Sequence, residues 1–335
     1  MDINKLKNNM LTEEYDKEYI DLCISYAYNL EKNGFPVIFD STHLAMLIGI
    51  KVKELYSYYE LAQSLYKKII IPKKTGGNRI LNAPCENLKY IQKWILDNIL
   101  NNSESLDVST GFVQGKSIVD NAKQHIGKEC VINLDIKNFF PSIRYIQIYN
   151  IFRSFGYTRH LCMVFTGLCT YKNVLPQGAP TSPLLSNLVC KRLDTKLLDL
   201  ANHIGASYTR YADDITFSGE KVITKYIKLI KRVIKEEYFQ VNEKKVRVQF
   251  KHHRQMVTGL VVNTKLSVPK KTKRYLRQQI YYAKKYGVNN SLDRQEVSKS
   301  NYEGHLFGLA YFIKMVEPKN GVEFIEQLKQ IDWES

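Results

Sequence analysis

The sequence predicts an α/β fold of the α+β kind in two or three lobes, organised on a small sheet that presents acidic side chains. Two β-rich runs, Tyr208 to Tyr211 and Ile215 to Ser218, meet at the adjacent carboxylates Asp213 and Asp214, the pattern of a hairpin with acids at its turn. A compact apolar run, Cys130 to Ile136, carries a further carboxylate, Asp135, near its end. Much of the remaining chain has apolar residues at helical spacing, and 335 residues with 44% hydrophobic content exceed the usual size of one core.

Forty-nine Lys and Arg against 33 Asp and Glu give a net charge of +16. That excess favours a polyanionic partner, nucleic acid or an anionic membrane surface, over a merely soluble basic surface. The six cysteines (Cys23, Cys85, Cys130, Cys162, Cys169, Cys190) show no Cys-x-x-Cys pair and no zinc-finger spacing to histidine. Neither a disulfide framework nor structural zinc is expected, and a reducing cytoplasm fits. The N-terminus mixes acids and bases, and no apolar run approaches a bilayer-spanning length, so neither export nor a membrane span is expected.

In chain order, Thr12 to Lys32 has helical spacing that stops at Gly34 and Pro36, an N-terminal helical segment over residues 1–40. Two short helices, from Ser41 and over Val52 to Leu65, break at Gly49. They resemble a helix-turn-helix, but no basic side chains mark the second as a groove binder. Tyr66 to Pro72 and Arg79 to Pro84 read as strands around Gly76-Gly77. Lys73, Lys74 and Arg79 flank that turn, where they would neutralise a triphosphate whose oxygens meet the turn amides, or else form a solvated hairpin tip. Glu86 to Leu100 reads as an amphipathic helix turning Trp94 toward the core. Gly111 to Ser117 lacks Walker spacing and leads into a helix with Asn121, Ala122 and His125; the plainer reading of His125 is a satisfied structural histidine.

A lone Asp buried in an apolar strand is costly unless it is paired, hydrogen-bonded or metal-bound. Gathered on one sheet, Asp135, Asp213 and Asp214 would concentrate up to three negative charges, which divalent cations relieve. Oxygen donors suit Mg²⁺, with Mn²⁺ as a substitute. Two such ions roughly 3.5 to 4 Å apart would activate a hydroxyl and stabilise leaving pyrophosphate during in-line attack on a phosphate. Adjacent aspartates also occur in ordinary turns, so the pair alone does not decide.

Between the two acidic segments lies Leu175-Pro176-Gln177-Gly178-Ala179-Pro180-Thr181-Ser182-Pro183, leading into a helix through Asp194 to Leu200. With Asp135 before it and Tyr211-Ala212-Asp213-Asp214 after it, the chain resembles the palm of a reverse transcriptase. Asn121-Ala122-x-x-His125 and Val257-Thr258-Gly259 resemble signature elements of bacterial retron reverse transcriptases, favouring them over group II intron, abortive-infection or diversity-generating relatives. The resemblance covers residue 40 or so to the end.

This resemblance implies a right-hand polymerase without an RNase H domain. Its fingers would span 41–130 with part of 141–174, its palm 131–140 and 175–250, and its short, basic helical thumb 251–335. Asp135, Asp213 and Asp214 would bind the two Mg²⁺ ions, with the Ile136 backbone as a further donor. Phe140 would exclude a 2′-hydroxyl and select deoxynucleotides, or serve as a core aromatic. Lys73 or Lys74 with Arg79 would hold the incoming triphosphate, and Gln177 would lie near nucleotide and template. Val241 to Lys245 resembles the family's Asn-x-x-Lys stretch, placing Lys245 near the leaving pyrophosphate; the family usually continues with Thr where this chain has Val246. Lys270, Lys271, Lys273, Arg274 and Arg277, interleaved with tyrosines, would track RNA phosphates in the thumb, or form a solvated basic face.

The implied activity is cytoplasmic synthesis of DNA from deoxynucleoside triphosphates on a dedicated structured non-coding RNA. Synthesis would start from a guanosine 2′-hydroxyl and leave branched multicopy single-stranded DNA, in antiphage defence with a separate effector protein. Host RNase H would remove the template. The alternatives are another bacterial reverse transcriptase, of group II intron or abortive-infection type, and a non-catalytic RNA-binding protein on the same fold.

Overall fold

The computed structural model describes residues 2–72, 76–289 and 301–333 and divides the chain into two compact units. The first comprises residues 1–112, 136–196 and 233–240. It opens with helices α1 (Ile3–Thr12) and α2 (Lys17–Lys32). The helix expected over Thr12 to Lys32 thus starts only at Lys17, Thr12 being the last residue of α1. Asp16 caps the second by accepting from the backbone of Glu18 and Tyr19, and Glu14 takes a left-handed φ of 56° that breaks the run. Helices α3 (Ser41–Ile48) and α4 (Val52–Glu60) part at Gly49.

Strands β1 (Tyr66–Pro72) and β2 (Asn78–Pro84) form the antiparallel hairpin expected around the glycine pair. Helix α5 (Glu86–Asn98) buries Leu88, Ile91 and Ile95, whereas Trp94 falls beside that stripe and is half-buried rather than in the core. Helices α7 (Phe139–Ser142), α8 (Tyr145–Ser154) and α9 (Arg159–Cys169) complete the unit's core, in which Phe152, Tyr157 and Phe165 are fully enclosed. Helices α10 (Ser182–His203) and α11 (Ile227–Glu236) contribute residues to both units.

The second unit comprises residues 113–135, 197–232 and 241–335. Its centre is a four-stranded antiparallel sheet in the order β4 (Ser207–Tyr211), β5 (Asp214–Gly219), β3 (Cys130–Asp135), β6 (Arg247–Phe250). Both faces of β3 are covered, which explains why it reads as a continuous apolar run: Val131 on one face and Ile132 and Leu134 on the other are buried. A separate apolar cluster joins helix α6 (Ile118–Lys123), the hairpin β7 (Met256–Val257) and β8 (Leu260–Val261), and helices α12 (Lys270–Tyr286), α13 (Tyr302–Val316) and α14 (Pro318–Lys329). Ala122, Val257, Leu260, Leu276, Ile280, Leu306 and Leu328 meet there. No helix among the described residues is long and apolar enough to cross a membrane.

Candidate active site

Tyr211 and Asp214 close the β4–β5 hairpin, leaving Ala212-Asp213 as its two-residue loop. Ala212 sits at φ 57°, a left-handed conformation that costs a non-glycine residue about 1–2 kcal/mol. Arg210 is fully buried and donates from Nη1 to the Ala212 carbonyl, 3.0 Å away, so the strained peptide is held from behind. Strand β3 then pairs with β5 in a register that puts Asp135 directly opposite Asp214. Asp135, Asp213 and Asp214 therefore lie at one end of the sheet.

Asp135 is buried and both its side-chain oxygens are engaged. Lys245 Nζ lies 2.6 Å from Oδ2, and the Asn242 amide donates to Oδ1 at 3.3 Å. The Asn242 backbone N–H also donates to the Asp135 carbonyl at 2.8 Å. A tight turn over Glu243–Lys245, in which Lys245 N donates to Asn242 O, gives the Asn-x-x-Lys spacing its physical meaning: both ends of the motif grip one aspartate.

Asp214 keeps one side open to solvent, yet its carboxyl is pushed up to about 6. Desolvation by the packed strands is the main cause, with repulsion from Asp213 and Asp135 next and partial relief from Lys245 and Arg247. Burial lowers the Lys245 ammonium pKa, but its bond to Asp135 and the charges of all three aspartates outweigh this and raise it overall. A cavity of about 440 Å³ opens over these groups, lined by Asp135, Asp214, Tyr211, Lys245, Arg247 and Thr258 among others. Carboxylates crowded enough to raise the pKa of Asp214 are a hard oxygen donor set that suits Mg²⁺ or Mn²⁺. Among the described residues no three His, Cys, Asp or Glu side chains already converge as a metal-holding group.

The two short signature motifs fall at helix α6 with the turn that follows it, and at the β7–β8 hairpin. His125 is fully buried, with Nδ1 2.7 Å from Ser218 Oγ on β5 and Nε2 2.8 Å from Thr209 Oγ1 on β4, so one ring bridges the two strands behind the acidic turn. Burial, reinforced by Lys128, drives its pKa down to about 3 and keeps the ring neutral. Asn121 and Ala122 are buried on helix α6, just before the turn that carries His125. Val257 and Leu260 close a second two-residue turn, Thr258-Gly259, and the Thr258 hydroxyl donates to the Ile118 carbonyl at the start of α6, 3.2 Å away. Amide side chains link the two hairpins across the sheet: Asn133 donates to Thr216, Gln249 donates to Asn133, and Gln249 Oε1 accepts from Met256 N.

The remaining expected residues are distributed as follows. Lys73 and Lys74 lie outside the described residues; Arg79 is exposed on β2. Gln177 belongs to the first unit, where its carbonyl accepts from Asn82 N at 2.8 Å. Gly178 follows at φ 130°, and a Cβ there would meet the Asn82 carbonyl oxygen at 3.0 Å, which accounts for glycine after Gln177. Phe140 is half-buried against Phe139 and Phe112, and Ile136 is buried. On α12, Lys270, Lys271, Arg274 and Arg277 are exposed, with the Arg277 guanidinium over the Phe324 ring. Lys273 instead pairs with Glu317 at 2.8 Å in a part-buried contact. Arg210, Asn242 and Arg247 were missing from the sequence reading. Only the Asn-x-x-Lys spacing hinted at Asn242, and an arginine inside a strand carries no signal of its burial.

A family model described as reverse transcriptase (RNA-dependent DNA polymerase) matches residues 71–281. The retron Ec86 reverse transcriptase of Escherichia coli is 32% identical over 310 residues, covering 91% of this chain and 93% of that protein. The retron Mx65 and Mx162 reverse transcriptases of Myxococcus xanthus are 32% and 31% identical, each covering 90% of this chain and respectively 74% and 68% of theirs. Among solved structures, a foamy viral protease-reverse transcriptase in complex with double-stranded DNA covers 81% of this chain and 46% of its own at 14% identity and a TM-score of 0.41, too distant to bear on the site. Matched over most of its length by the family model and by these relatives, the chain belongs to the bacterial retron reverse transcriptases, a family of RNA-directed DNA polymerases.

Proposed function

We propose that this enzyme copies a cognate structured non-coding RNA into branched multicopy single-stranded DNA, using two Mg²⁺ ions held by Asp135, Asp213 and Asp214 with the Ile136 carbonyl as a further donor. The observation that carries the reading is the β3–β5 register, which sets Asp135 opposite Asp214 with Asp213 in the adjoining turn. Bound there, the metal ions supply activation of the attacking hydroxyl and neutralisation of the departing pyrophosphate. The chain's own groups hold that geometry. Asn242 orients Asp135, Arg210 and His125 brace the acidic turn, and Lys245 and Arg247 set positive charge beside the cavity.

Phe140 would select deoxynucleotides by excluding the 2′-hydroxyl, while Lys73, Lys74 and Arg79 take the triphosphate and Gln177 meets nucleotide or template. Lys270, Lys271, Arg274 and Arg277 would track the RNA backbone from a thumb over 251–335, with fingers over 41–130 and part of 141–174 and a palm over 131–140 and 175–250. The two signature motifs support the retron mode: priming from a guanosine 2′-hydroxyl, template removal by host RNase H, and cytoplasmic antiphage defence with a separate effector.

The test is to express the gene with its native flanking DNA and compare nucleic acid bound to the purified wild type and to Asp213→Asn/Asp214→Asn. A short DNA joined to RNA through a debranchase-sensitive bond, absent from the variant, is expected. DNA without a 2′-5′ branch would point to another priming mode, and RNA alone in both samples to a binding protein.

A further inference from the structure

The contact between Lys245 and Asp135 bears on how the proposed metal site fills, and the inference rests on that reading of the site. Each oxygen of Asp135 already has a positive or polar partner, Lys245 on Oδ2 and Asn242 on Oδ1. The two partners are unequal. Asn242 is tied to the Asp135 backbone as well, whereas the Lys245 side chain is 55% exposed and that of Asp135 only 9%. An ammonium on a flexible stem can therefore swing into water at small cost, while the carboxylate cannot leave. The described carboxylates form no ready cation cradle, and Lys245 and Arg247 offset only part of the charge they accumulate.

We infer that Lys245 is the stand-in cation of the metal-free enzyme. Its ammonium takes the place on Asp135 that a divalent ion needs, is displaced when that ion binds, and is thereby released toward the phosphates of an incoming nucleotide. Metal binding alone exchanges the lysine's anionic partner for water. Metal binding with a nucleotide present gives the freed lysine a new anionic partner, so the two ligands favour one another through this side chain.

Mn²⁺ titration of the nucleotide-free full chain, followed by electron paramagnetic resonance, tests this on the wild type, Lys245→Met, Arg247→Met and Asp135→Asn. Lys245→Met should bind Mn²⁺ about tenfold more tightly than wild type, the scale of one charge-assisted hydrogen bond removed from competition. Arg247→Met removes the same charge from the same cavity and should gain only about twofold through screened repulsion. Adding a deoxynucleoside triphosphate should tighten Mn²⁺ binding in the wild type by a larger factor than in Lys245→Met. Equal gains for the two cation variants, or unchanged coupling to nucleotide, would overturn the stand-in role. Failure of the underlying site reading has a separate signature, wild-type Mn²⁺ binding that Asp135→Asn does not weaken.

Discussion

Two hairpins of the second unit invite comparison, because each has a two-residue loop that begins with a left-handed residue other than glycine. In the acidic hairpin that residue is Ala212 at φ 57°, and in the second it is Thr258 at φ 45°. The second follows ordinary hairpin chemistry, with Gly259 at φ 83° taking the other left-handed position. The first has one left-handed position, taken by Ala212, and its carboxylates crowd one another besides. Its support comes from elsewhere: Arg210 beneath the turn, His125 across its strands, Lys245 on its neighbour. Strain and charge at a working turn are tolerated when the surroundings over-determine the geometry.

The comparison breaks most visibly at the carboxylates. Asp213→Asn should lower DNA synthesis by about 10³-fold or more, since metal-held charge supplies several kcal/mol of transition-state stabilisation, while the variant still folds and binds RNA. Primer extension beside an RNA-binding assay reads both; full activity would remove Asp213 from the site. Next in size is His125→Leu, which strips Ser218 and Thr209 of their ring partner and should cost about 2–4 kcal/mol of folding stability in denaturant titration.

Acid titration separates buried His125 from solvent-facing Asp214, because the two groups lean in opposite directions. His125 stays neutral down to about 3 against an ordinary 6.5. Below pH 6.5 the unfolded chain takes up a proton that the native state refuses, so this residue makes stability fall as pH falls. Asp214 is raised from 3.8 to about 6. Across that interval the native state holds the extra proton, so this residue makes the metal-free protein lose stability as pH rises. Asp214→Asn should therefore raise the thermal midpoint of the metal-free protein at pH 7, with the gain fading below pH 4, whereas His125→Gln should flatten the acid side of the profile. Identical pH profiles for wild type and either variant would contradict the corresponding assignment. The smallest effect belongs to Gly259→Ala, about 1 kcal/mol of backbone strain at a turn that bears no charge, measurable by the same unfolding titration.

Much of this was legible before folding. The β4–β5 hairpin, the apolar strand ending in Asp135, and the β1–β2 hairpin follow from strand patterning and turn residues, and the structure places them as expected. Local capping was harder to see: Asp16 starts a new helix where apolar spacing alone ran on from Thr12. Trp94 illustrates the same limit, because a large aromatic near a helical stripe need not fall on it. The thumb shows a third kind of miss. Lys270 and Lys273 look alike in sequence, yet Lys270 is exposed while Lys273 is bound to Glu317, whose carboxyl is held below the usual range because that bond and its neighbours outweigh the desolvation opposing them.

The sequence by itself determined the local elements, the excess of positive charge, the hard oxygen chemistry of three aspartates and the family to which the chain belongs, because these depend on residue type and short spacing. Tertiary structure alone decided which groups touch. It set Asp135 against Asp214 by strand register, buried His125 between hydroxyls 84 and 93 residues away, and laid Lys245 on an aspartate 110 residues before it. Such contacts take their strength from burial and from charges brought out of water together, quantities that exist only once distant segments have packed.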